Sequence, residues 1–175
     1  MSISLRRVRP TRGEGTALIG FLTANSWPYY HHEPLSVQAV ATAIANGLFD
    51  NHQHRTWWIH DDEHGTIGIG RLRNLTTTAH CDIALADSWR GQGYGEPSLR
   101  ELTRTAFVTY PQLGAVHANI RADHIAMLRV FTRAGWAVGA RTQRDTSAAG
   151  GKGGELIGYR LTRHSWQRGG TVKQK

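Results

Sequence analysis

Apolar residues recur along this chain in two rhythms. One is an alternation of period two, which lines one face of a strand, and it covers residues 3–9, 55–60, 66–72 and 79–85, with a buried-looking run at 115–120. The other has helical spacing. Leu99, Leu102, Thr103, Ala106, Phe107 and Tyr110 stand at i, i+3, i+4, i+7, i+8 and i+11, which predicts a long amphipathic helix ending near residue 110. Val37, Val40, Ala41, Ile44 and Leu48 form a second helical stripe that Ser36 can cap and that ends around Gly47. Ala17, Leu18, Phe21 and Leu22 mark an earlier helix, behind Thr11-Arg12-Gly13-Glu14, which reads as a capping box. A short helix over 123–134 stops at Gly135, and 137–143 with 155–161 reads as a closing hairpin across the loose 147–154 loop. The resulting order is β, α, α, three strands, α, β, α, two strands, which predicts an α/β (α+β) domain built on one sheet.

One polar interruption stands out. Arg90-Gly91-Gln92-Gly93-Tyr94-Gly95 separates the strand ending at Leu85 from the long helix. Three glycines in five residues allow positive φ and leave no side chains over the backbone, so successive amides can converge on an anion. The helix that follows adds unpaired N–H groups and the positive end of its dipole. Pro97 suits the first turn, because its missing N–H would have had no intrahelical partner. Arg90 adds charge at the rim. A dinucleotide fingerprint would need glycine in place of Glu96, and a P-loop would need Gly-Lys-Ser/Thr here, so neither applies.

Composition narrows the function classes. With 175 residues and 39% apolar content the chain suits one folded unit over 1–166, followed by a frayed basic tail over 167–175. No apolar run is long enough to span a bilayer, and the first ten residues lack a signal core, so a cytoplasmic protein with no membrane partner is expected. Cys81 is the single cysteine, which excludes an intrachain disulfide and a cysteine-rich zinc site. His52-Gln53-His54 lacks a third ligand at metal spacing and is read as surface loop, so no metal is expected. The formal charge of +8 favours polyanions, but the arginines are scattered and not interleaved with aromatic residues, which disfavours a nucleic-acid partner.

Arg-x-x-Gly-x-Gly between a strand and a helix resembles the pyrophosphate-binding signature of the GNAT superfamily of acyl-CoA N-acyltransferases. Asp123-His124-Ile125-Ala126, with Gly135-Trp136 downstream, is similar to a second segment of that superfamily, and its wording is closest to the ribosomal-protein N-terminal acetyltransferase type. The element order agrees as well. The resemblance implies a single mixed, largely antiparallel sheet of about seven strands flanked by about four helices. It implies acetyl-CoA as cosubstrate, held by Ile83, Ala84 and Leu85 along the pantetheine arm, by Arg90, Gly91, Gln92, Gly93, Tyr94 and Gly95 at the pyrophosphate, and by Asn119, His124 and Phe131. Arg90 would act chiefly through its charge on the pyrophosphate. It also implies direct transfer to a primary amine, of a small molecule or a protein N-terminus, with a homodimer as the compatible assembly.

The loop between the first two helices borders the acceptor in that family, which assigns acceptor contacts to Trp27, Tyr30, His31, His32 and Glu33. Asp82 is the expected proton acceptor, on the condition that burial or a like charge raises its pKa, and His80, on the same face of the strand, is the alternative. The family positions that protonate the departing thiolate carry Phe131 and Met127, so that role is left to water, to Tyr94 or to no group. A rival reading is an acyl-CoA-binding protein without turnover.

Overall fold

The computed structural model describes residues 2–29, 33–144 and 153–170. Seven strands, β1 (Ile3–Arg7), β2 (Arg55–Asp61), β3 (Gly65–Arg73), β4 (Thr78–Leu85), β5 (Ala115–Arg121), β6 (Ala137–Arg144) and β7 (Gly154–Thr162), form one sheet in the order β1-β2-β3-β4-β5-β7-β6. Every pairing is antiparallel except β4 with β5. The expected α+β architecture is therefore the one observed. Five helices accompany the sheet: α1 (Gly15–Ala24), α2 (Val37–Ala45), α3 (Gly95–Thr109), α4 (Ile125–Arg133) and α5 (Arg163–Gly170).

The period-two alternation sorts the core into two layers. Trp57, Ile59 and Ile67 join Leu99, Leu102, Phe107 and Phe131 in a cluster on the α3–α4 face. Trp58 and Ile69, pointing the other way, pack with Leu18, Leu22, Trp27 and Val40 on the α1–α2 face. The centre of β2 is apolar on both sides because helices cover both sides.

Two helix ends differ from expectation. Thr11 caps nothing: a 3-10 turn occupies Pro10–Arg12, and Glu14 instead accepts bonds from Arg6, the Arg9 amide and the Trp58 indole. At the other end of the chain, α5 extends into the stretch expected as tail, whose last five residues lie outside the described ones. Its order has a visible cause. The Arg163 guanidinium donates to the carbonyls of Phe107, Tyr110 and Leu113, closing the C-terminal end of α3, while Trp166 packs on Phe107 at 5.2 Å.

Candidate functional site

The parallel pairing of β4 with β5 lasts only from Thr78↔Ala115 to His80↔His117. Beyond it, residues 81–85 remain bonded to β3 and residues 118–121 to β7. The facing backbones therefore separate into a V whose apex is His80 and whose open end leads to the glycine loop. A strand edge without a partner presents alternating N–H and C=O groups, which can bind an extended amide-bearing arm.

At the open end, Gly91 has φ +73° and Gly93 φ +89°, conformations that side-chain-bearing residues rarely adopt. α3 begins without a side-chain cap, and among the described residues no hydrogen bond takes up the amides of residues 91–96. Unpaired amides, loop glycines and a helix N-terminus converge here as an anion cup. Gly95 serves packing instead: a Cβ there would lie 2.9 Å from Val130 Cγ2, so its lack of a side chain lets α3 approach α4.

Three loop residues do something other than expected. Arg90 turns away from the cup. Its Nε donates to Leu85 O at 2.9 Å, its Nη2 to Ser26 O at 2.5 Å, its Nη1 meets Asp87 at 2.6 Å, and the guanidinium lies 5.1 Å from the Trp27 ring. Asp87 in turn accepts from the amide and hydroxyl of Ser26. Arg90 thus fastens the α1–α2 loop to the glycine loop, and its charge is spent locally. Gln92 folds back onto Ser88 O. Tyr94, nearly buried, directs its hydroxyl to His64 Nδ1 at 3.3 Å, and His64 Nδ1 lies 2.6 Å from buried Asp61. Burial, with the Asp61 and Glu63 charges, raises the Tyr94 pKa, and the hydroxyl's engagement with His64 removes it from thiolate protonation.

Phe131 is 1% exposed and packs against Trp136 and Tyr159, so it belongs to the core and offers no surface to a cofactor. His124 stands at the N-cap of α4, its ring stacked on Tyr29 with centroids 3.6 Å apart. Burial first, then the charges of Arg90 and Arg121, lower its pKa to about 4 against the opposing pull of Asp123. Cys81 is buried in the core, and burial pushes its thiol well above the ordinary range, which removes it as a nucleophile.

On the α1–α2 face the V opens into a cleft of about 1060 Å³. Its floor carries Arg71 and Arg73 of β3, His80 and Asp82 of β4, and Asn119 of β5. Register places Arg71 opposite Asp82 and Arg73 opposite His80. Asp82 Oδ2 meets Arg73 Nε at 2.9 Å, and Oδ1 lies 3.5 Å from His80 Nε2. Burial pushes the Asp82 pKa up, but the His80 hydrogen bond and the Arg73 and Arg71 charges outweigh it and bring it down to about 2. The condition on which Asp82 was expected to act as base is therefore reversed, because two guanidiniums share its face.

The cleft wall includes Trp27, Tyr29 and Glu33. Trp27 is 8% exposed and its indole N–H is bonded to Leu22 O, so it is a fixed wall. Tyr30, His31 and His32 lie outside the described residues. Arg71 and Arg73 were missed in the sequence, although period two from Ile69 would have turned both toward α1 and α2. The clamp of Asp87 and Arg90 on Ser26 had no local signal, since Ser26 lies about sixty residues before both. Among the described residues a metal-spaced group is formed by Asp61, Glu63 and His64, beside Tyr94, and does not include His52 or His54. No described helix is long and apolar enough to cross a membrane.

Comparison with known proteins bears on these observations. Residues 4–137 match the model of the acetyltransferase (GNAT) domain. No curated protein sequence matches the chain. The spermidine N-acetyltransferase of Vibrio cholerae in complex with CoA and spermine is similar in structure, with TM-score 0.76 and 15% identity over 95% of this chain and 98% of that one. So is the aminoglycoside acetyltransferase AAC(6')-Ib in complex with coenzyme A, with TM-score 0.77 and 14% identity over 95% and 98%. At such identities the likeness is one of fold.

Proposed function

The chain belongs to the GNAT acetyltransferase family and is an enzyme with acetyl-CoA as its cosubstrate, and on that premise we propose that it acetylates a primary amine by direct attack, with His80 as proton acceptor. The acceptor is a small molecule or a protein N-terminus. The observation that supports this most is the V itself, which runs from the amide cup of residues 91–96 to the His80–Asp82 pair at its apex.

In this reading the cup receives the pyrophosphate and the open edges of β4 and β5 receive the pantetheine amides, with Asn119 and His124 at the border. The amine approaches from the α1–α2 cleft and gives up a proton to His80. Its neutral nitrogen then attacks the thioester carbon, the oxyanion is met by an N–H of the β4 edge, the nitrogen passes its second proton to solvent, and the C–S bond breaks to release the CoA thiolate. Solvent protonates that thiolate, since Phe131 and Tyr94 are placed elsewhere. Asp82 remains ionised at neutral pH and stabilises the imidazolium as it forms. It is a positioning residue rather than the base.

Incubating the protein with acetyl-CoA and a library of primary amines, read by mass spectrometry, tests the proposal. One or more amines should gain a single acetyl group with release of free CoA thiol. Binding of CoA with no amine modified would contradict it and favour a binding protein without turnover.

A further inference from the structure

Resting on the placement of the cofactor arm in the V, we propose that residues 25–29 form a strap across its open end, latched where Tyr29 stacks on His124, and that CoA enters and leaves by breaking this latch. The two arms of the V run out at Leu85 and at Arg121, and the chain continues from them to Asp87 and Arg90 on one side and to His124 on the other. The segment that follows α1 is attached to both sides. Asn25 Oδ1 accepts from the Asp87 amide at 2.8 Å, the amide and hydroxyl of Ser26 each donate to the Asp87 carboxylate at 3.0 Å, and Arg90 donates to Ser26 O. Three residues after Ser26, the Tyr29 ring lies on the His124 ring, 7° from parallel. The strap therefore reaches from the β4 arm to the β5 arm. Burial is the first cause of the low His124 pKa and the Arg90 charge adds to it, so the two sides stand within electrostatic reach of each other here.

The two attachments are unequal. Charge-assisted hydrogen bonds hold Ser26 on the β4 side, and Trp27 behind it is buried with its indole N–H on Leu22 O. On the β5 side, among the described residues, the Tyr29 side chain makes no hydrogen bond, and its ring contact with a neutral imidazole holds that end. The Tyr29 end is thus the one built to release, with Pro28 stiffening the joint between the fixed and the releasable part.

A latch of this kind acts on exchange of the cofactor. Closed on the empty V it slows entry, and closed over a bound arm it slows departure, so breaking it accelerates both steps. A residue that simply touches the cofactor behaves otherwise, since its loss speeds departure and leaves entry unchanged.

Stopped-flow association and displacement of CoA, followed by tryptophan fluorescence, separates these cases. In Tyr29→Ala and in His124→Ala the association and dissociation rate constants should both rise about three- to tenfold, the range set by one aromatic pair, with Kd within about threefold of wild type. Tyr29→Phe keeps the stack and should exchange CoA at the wild-type rate. Tyr29→Leu, which fills the space without a ring, should behave as Tyr29→Ala does and serves if the alanine variant does not fold. Unchanged rates in Tyr29→Ala and Tyr29→Leu, or a faster dissociation with association unaltered, would overturn the latch while leaving the arm in the V. CoA affinity that survives Gly93→Val in a folded protein would instead overturn the placement of the arm, and the latch with it.

Discussion

The two ends of the V are made of different material. At the glycine loop the groups proposed to bind are backbone amides, arranged by positive-φ glycines and a helix start, and the neighbouring side chains of Arg90, Gln92 and Tyr94 are each hydrogen-bonded elsewhere in the protein. In the cleft proposed for the acceptor the polar floor is made of side chains of Arg71, Arg73, His80 and Asp82, projecting from two ordinary strands. A backbone site tolerates change in its side chains but not in its conformation. A side-chain site has the opposite sensitivity, so substitutions can separate the two ends.

The largest effect is expected at the apex. His80→Gln should lower kcat by about 10²- to 10⁴-fold with the KM for acetyl-CoA little changed, since it removes proton transfer and not cofactor contacts. Steady-state kinetics at varied acetyl-CoA checks this. A comparable rise in the cofactor KM would place His80 with the backbone end.

Gly95→Val sharpens the contrast within the loop. Its side chain would collide with Val130, so the protein should lose about 1–3 kcal/mol or more of stability, measured by urea unfolding. Unchanged stability would mean that α4 yields readily.

Asp82→Asn tests the electrostatics of the cleft. A folded pKa of about 2 against an ordinary 3.8 means that ionised Asp82 adds roughly 2 kcal/mol of stability, present above pH 4 and lost as pH falls through 2. The deficit of the variant should therefore be full at pH 7 and shrink on acidification. A constant deficit would mean that Asp82 contributes by packing alone.

The smallest effect on the cofactor is expected from Arg90→Ala. Because Arg90 holds Ser26 and Trp27, its loss should loosen the acceptor wall and raise the amine KM severalfold, with CoA affinity nearly intact. A salt-sensitive loss of CoA affinity would restore the residue to the pyrophosphate.

The same division explains what was legible in the sequence. Strand and helix rhythms, the glycine loop and the Ser36 cap are local signals, and each is found where its pattern placed it, Ser36 Oγ accepting from the Ala39 amide at 3.1 Å. Side-chain destinations are not local. Arg90 reads as a pyrophosphate ligand until Ser26 is brought beside it, and Asp82 reads as a base until the neighbouring strand sets Arg71 and Arg73 on its face. Phe131 lies at a family position whose surroundings, Trp136 and Tyr159, decide its role.

Calorimetric titration of CoA into Gly93→Val and into the Arg71→Gln/Arg73→Gln double variant tests the division most directly. Gly93 has φ +89° and open space around it, so valine there disturbs the cup without a clash. CoA affinity should fall at least tenfold in Gly93→Val and stay within about twofold of wild type in the double variant. Retained affinity in a folded Gly93→Val, or its loss in the arginine variant, would contradict the account.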